Sequence, residues 1–195
     1  MGTLTAGESV GLTGQDPGLT GVMVAMGWRI DPAPGAQPEP VPLAIVCGDD
    51  GRALTPEHLV FFNQLTTASP GVAFASQGTN GAAYGDEAPA DAEQVDVDFS
   101  QVPPEVARIA FVTYIDPEVR GAGSFAQVGG LHLRVVRPDG SELVRFDASP
   151  DSPEEAQAVL CGELYRYEDG WAFRALGRAY ENGLAGVGAE FGLDV

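Results

Sequence analysis

Three observations predict an all-β fold, a two-sheet antiparallel β-sandwich with short helical turns and a C-terminal helix. Apolar residues recur with period two, about nine segments have strand character, and tight-turn pairs separate successive segments.

In chain order, VMVAMGW (22–28) is apolar on both faces, as a strand buried between two layers is. DPAPGAQPEPVP (31–42) is Pro-rich and reads as an extended loop. LAIVCG (43–48) and LVFFNQL (59–65) are the next strands. VDVDF sets Val95, Val97 and Phe99 on one face and Asp96 and Asp98 on the other. IAFVTYI (109–115) is again apolar on both sides. LHLRVV alternates Leu131, Leu133 and Val135 with an outward His132, and Arg137-Pro138-Asp139-Gly140 turns it into ELVRFD (142–147). AVLCGELYRYE (158–168) and WAFRALG (171–177) flank Asp169-Gly170, the pair expected to supply the positive φ of a tight hairpin.

Pro near a first helical turn marks Thr55-Pro56-Glu57, Val102-Pro103-Pro104-Glu105-Val106 and Ser152-Pro153-Glu154-Glu155 as single turns, the last with a capping box. GLAGVGAEFG spaces Leu184, Val187 and Phe191 at three and four residues, as an amphipathic helix does. Its glycines each cost about 1 kcal/mol relative to Ala, so packing on the sheet must hold it.

The 195 residues suit one domain over 1–195 with a real core. Charge is lopsided: 28 acidic residues face 10 basic ones, all Arg, for a net −18. Such a surface repels phosphate, which argues against nucleic acid and anionic lipid and leaves cations or proteins as partners. The longest apolar run, 22–28, is far short of the roughly 20 residues a spanning helix needs, so no direct membrane insertion is expected. MGTLTAGESVGL shows no basic segment followed by an apolar core, and the expected location is cytoplasmic. Cys47 and Cys161 lie in apolar runs, where free thiols pack as small hydrophobes.

Catalytic signatures are missing. Ser124 does not sit in a G-x-S-x-G elbow, the chain has no Lys for a phosphate loop, and two Cys and two His lack zinc-ligand spacing. The expectation is a non-enzymatic protein, with a carboxylate-based hydrolase as a remote alternative.

One stretch does suggest a ligand. SQGTNGAAYGDEAPADAEQVDVD (76–98) is a small-residue loop rich in carboxylates, the composition a hard cation such as calcium needs, and also that of a solvated loop.

From residue 160, LCGELYRYEDGWAFRALGRAYENGLAGVGAEFGLDV resembles the C-terminal signature of the TerD family, bacterial tellurium-resistance and stress-response proteins. Gly27-Trp28, Val60-Phe61-Phe62-Asn63, Val102-Pro103 and Ser124-Phe125-Ala126-Gln127-Val128 resemble family landmarks in family order, so the likeness covers essentially the whole chain. It implies a β-sandwich and, in many members, calcium held by two acidic segments. Here the first segment is replaced by Glu39-Pro40-Val41-Pro42-Leu43, which keeps only Glu39. In the second, Gly78-Thr79-Asn80 and Asp91-Ala92-Glu93 stand where the family has Gly-Asp-Asn and Asp-Asp-Glu. Arg29 follows Trp28 where the family has Asp, with Asp31 two residues on.

The metal residues that the resemblance implies are Asp91 and Glu93, helped by Glu39, Asp86, Glu87 and Asp31, with Gly78 and Asn80 in the loop. The expected cofactor is calcium, bound weakly at an altered site. The alternative is a calcium-independent interaction or assembly subunit with degenerate metal loops. Other stress-response or membrane-associated proteins are the expected partners, and free sheet edges allow a homo-oligomer.

Overall fold

The computed structural model describes residues 2–31, 34–35, 38–76, 83–84, 90–118 and 122–195. Its strands, in order, are β1 (Gly2–Leu4), β2 (Ser9–Gly11), β3 (Gly21–Ile30), β4 (Pro40–Cys47), β5 (Leu59–Val60), β6 (Val72–Ser76) and β7 (Ala83–Tyr84). There follow β8 (Ala90–Asp98), β9 (Arg108–Ile115), β10 (Val128–Val136), β11 (Glu142–Asp147), β12 (Ala158–Tyr167) and β13 (Gly170–Tyr180), then helix α1 (Gly183–Phe191).

The strands form two sheets. The first runs β1-β11-β10-β3-β8-β6 with β7 beside β3, and the second runs β2-β13-β12-β9-β4-β5. Pairing is antiparallel except for β1 on β11 and β7 on β3. The predicted sandwich is therefore present, and its core takes one face of each sheet: Val24, Met26, Val95, Leu133 and Val135 from the first, Ala44, Val46, Ile109, Phe111 and Phe173 from the second.

β4 and β9 are apolar on both faces because both faces are covered. Val41, Leu43, Ile45, Ala110 and Val112 point away from the sandwich core and pack with Val187, Phe191 and Leu193 of the α1 segment. On that same outer face, opposite Ala110, Glu163 is buried and held between Arg108 and Arg174, at 3.2 Å to each.

Several local expectations are corrected. LVFFNQL is not one strand: β5 stops at Val60, Phe61 and Gln64 exchange backbone hydrogen bonds of 3.0 and 2.9 Å, and the chain reverses through Phe62-Asn63. The Gln64 amide fixes that reversal by donating to the carbonyls of Glu57 and Leu59.

In the β12–β13 hairpin Tyr167 pairs with Gly170, so the turn residues are Glu168 and Asp169, and the positive φ, 52°, is at Glu168. Gly170 is needed for space instead, since a Cβ there would lie 2.2 Å from the Thr13 hydroxyl. At Ser152 the backbone carbonyl accepts from Glu155 and Ala156, whereas the side-chain capping box forms at Ser124 and Gln127, opening a short 3-10 helix at Phe125–Gln127. The short strands β1, β2, β6 and β7 escaped the sequence reading, because two to five residues carry too little periodicity.

Candidate functional site

β3 is the central strand of the first sheet and sets the site. Val24, Met26 and Trp28 enter the core, so Ala25, Gly27 and Arg29 face outward. Gly27 has Asp91 of β8 opposite it on one side and His132 of β10 on the other. Both ladders slip here, between Met26 and Gly27 of β3 in the pairing with β8 and between Gly129 and His132 of β10 in the pairing with β3.

A glycine between the two lets their side chains meet over β3. Asp91 Oδ1 accepts from His132 Nε2 at 3.0 Å and from Arg134 Nε at 3.1 Å, and Oδ2 accepts from Arg134 Nη2. Arg134 Nη1 donates on to Glu142 of β11 at 3.0 Å, so one polar chain spans four neighbouring strands. The other ring nitrogen of His132 lies 3.0 Å from the Gly130 carbonyl, and the residue is only 3% exposed. Burial on its own would raise the Asp91 pKa, but the hydrogen bonds from His132 and Arg134 and the guanidinium charge outweigh it and hold it at about 2.

The bulge also separates the two carboxylates that the sequence put together. Asp91 and Glu93 would share a face in a regular strand, yet Asp91 lies opposite outward Gly27 and Glu93 opposite inward Met26. Asp31, just beyond β3, pairs with Arg29 at 2.7 Å, and that hydrogen bond lowers its pKa. Gly129 makes room for this pair, since a Cβ there would meet Arg29 Nη2 at 2.5 Å and Asp31 Oδ2 at 2.8 Å. Glu39 is exposed and precedes β4 in the other sheet. Gly78, Asn80, Asp86 and Glu87 lie outside the described residues.

Among the described residues no three His, Cys, Asp or Glu side chains converge as a metal site. A hard cation needs carboxylate oxygens turned toward it. Asp91 and Asp31 turn theirs to arginine side chains of the chain itself, so neither is free to face a cation in this arrangement. The partners of Asp91 were partly legible, because LHLRVV places His132 and Arg134 on the outward positions of one strand.

The profile of the TerD domain matches residues 1–191. The chain belongs to the TerD family. General stress protein 16U of Bacillus subtilis (strain 168) is 32% identical over 195 residues, covering 99% of this chain and 98% of that one. The tellurium resistance protein TerD of Serratia marcescens is 32% identical over 193 residues, covering 98% and 97%. The crystal structure of a homologue of the telluride resistance protein TerD from Streptomyces coelicolor A3(2) superposes with a TM-score of 0.62 at 19% identity, covering 84% of this chain and 91% of that one. The names of these TerD-family relatives are those of resistance and stress proteins, with no catalytic activity among them.

The second histidine has a local role. The Thr55 hydroxyl donates to Glu57 at 2.6 Å and lies 2.8 Å from His58 Nδ1, while Nε2 lies 2.8 Å from the Ser69 hydroxyl. The order of groups is that of a nucleophile, a base and an orienter, but Ser69 is 5% and His58 7% exposed, so the hydroxyl is spent on packing the loop. Their separation of eleven positions left no sequence signal. Both cysteines are free and buried, and burial pushes each thiol up to about 12, which keeps them unreactive. No helix among the described residues is long and apolar enough to cross a membrane.

Proposed function

We propose that this TerD-family chain is a non-catalytic stress-response module that works through a protein partner, and that arginine side chains hold its Asp91 and Asp31 carboxylates without an obligatory calcium ion. The observation that carries the reading is the clamp on Asp91, in which His132 and Arg134 engage both carboxylate oxygens. A fixed guanidinium supplies at that carboxylate the positive charge that a metal would otherwise bring, and it is always charged. The clamp ties the start of β8, where the carboxylate-rich stretch enters the sheet, to β10 and β11. The relatives' stress and resistance names support the cellular setting.

Calorimetric titration of calcium into the chelator-treated chain tests the metal side of the reading, with magnesium as control. The expected result is no binding isotherm at micromolar to millimolar calcium. A calcium-specific isotherm lost in Glu93→Gln would instead favour a site built from Glu93 with Asp86, Glu87, Gly78 and Asn80. Crosslinking in stressed bacteria tests the partner side: the intact chain is expected to recover a defined protein that Asp91→Asn recovers poorly.

A further inference from the structure

We propose that α1 is an exchangeable lid, which opens as a unit from the second sheet and is traded between two copies of the chain. The occupant of the opened face is thus a second copy, and the inference does not depend on the partner reading above.

The face beneath the lid is the starting observation. Val41, Leu43, Ile45, Val112 and Leu160 are at most 5% exposed, although they point away from the sandwich core. Val187 and Phe191 of α1, with Leu193 beyond it, complete their cluster. Such a strip does not stay bare in water, so whenever α1 leaves, something apolar of matching shape must take its place.

The lid itself is weakly built. Three of its nine residues are glycine, Asn182 gives no side-chain cap, and an isolated helix of this length is not stable in water. The segment closes on itself instead: Leu193 N–H donates to the Gly188 carbonyl at 2.8 Å, and a Cβ on Gly188 would meet the Leu193 carbonyl oxygen at 2.8 Å.

Its polar ties to the body are few. Glu190 accepts from Arg178 and from the Tyr180 hydroxyl, and the Phe191 carbonyl accepts from Ala53 at 2.9 Å. Arg178 and Glu190 are 52% and 40% exposed, which makes their ion pair weak. No sheet hydrogen bond breaks when α1 lifts, because the strands pair only with strands. The hinge is exposed Glu181-Asn182, followed by Gly183 at φ +56°, a conformation that glycine adopts freely.

What fits the vacated face is the same segment of another copy. Exchange restores every contact named above, with Glu190 on the neighbour's Arg178 and Tyr180, and closes with two-fold symmetry. The net charge of −18 opposes the encounter, so added salt should favour it.

Light scattering of the full chain after size exclusion, across a concentration series, is the test. The expected result is a species of twice the chain mass that grows with concentration and reverts slowly on dilution. Glu190→Gln should speed both directions by about three-fold, the worth of an exposed pair, and leave the dimer fraction unchanged, since the same bonds close both forms. Hydrogen exchange at Val187–Phe191 should run ahead of exchange in β4, β9 and β12. A single mass at all concentrations overturns the proposal, as does a dimer whose rates ignore Glu190→Gln. So does exchange of the α1 amides only together with those of the sheets.

Discussion

A methyl group on residue 27 would sit 2.0 Å from the Ala90 carbonyl oxygen and 2.6 Å from Cε1 of His132. Backbone cannot yield to such a contact, so Gly27→Ala is expected to cost about 3 kcal/mol or more, read as a lower denaturant midpoint. The pH dependence of Asp91 follows from its clamp. Its folded pKa, about 2, lies below the ordinary carboxylate value, so its stabilisation is complete above roughly pH 4 and is lost as pH falls through about 2. That contribution is about 2 kcal/mol, and Asp91→Asn should remove it from the intact chain's acid-unfolding curve while flattening the curve between roughly pH 4 and 2. The outward pair His132 and Arg134 was visible in LHLRVV. The partner was not, because the slip between Met26 and Gly27 that turns Asp91 away from Glu93 leaves no mark in the alternation of ADAEQV.

Among the elements, long strands were legible because burial on one or both faces writes a period into eight or more residues, as in β3, β9 and β12. Short ones were not. LVFFNQL shows why: its apolar run continues past the end of β5, because Phe61 packs against the outer apolar cluster of the second sheet while Phe62, 50% exposed, occupies a reversal. The β12–β13 hairpin was found from Asp169-Gly170, but the strained position is Glu168, one of the turn residues and a non-glycine at φ 52°. Glu168→Gly should therefore raise stability by up to about 1 kcal/mol, less the entropy glycine returns to the unfolded chain, as a higher denaturant midpoint. A change in the opposite direction would mean that the Glu168 side chain contributes more than its backbone costs.

At the scale of the molecule, a two-sheet core covered on one outer face by α1 leaves the outer face of the first sheet to charged side chains. The chain as a whole is −18, yet the clamp at Asp91 and the pair at Asp31 each set a local arginine against a carboxylate. The acidity thus does not by itself make a metal site: at Asp91 and Asp31 it is neutralised by arginines of the chain itself, and the calcium expectation came from the family resemblance. Thermal unfolding in EDTA and then in rising calcium, with magnesium as control, tests this most directly. A ligand at about 100 times its dissociation constant stabilises by roughly 2.7 kcal/mol, which shifts the midpoint visibly. The same midpoint is expected in EDTA and in millimolar calcium; a calcium-specific rise that magnesium does not reproduce would overturn neutralisation by the chain's own arginines.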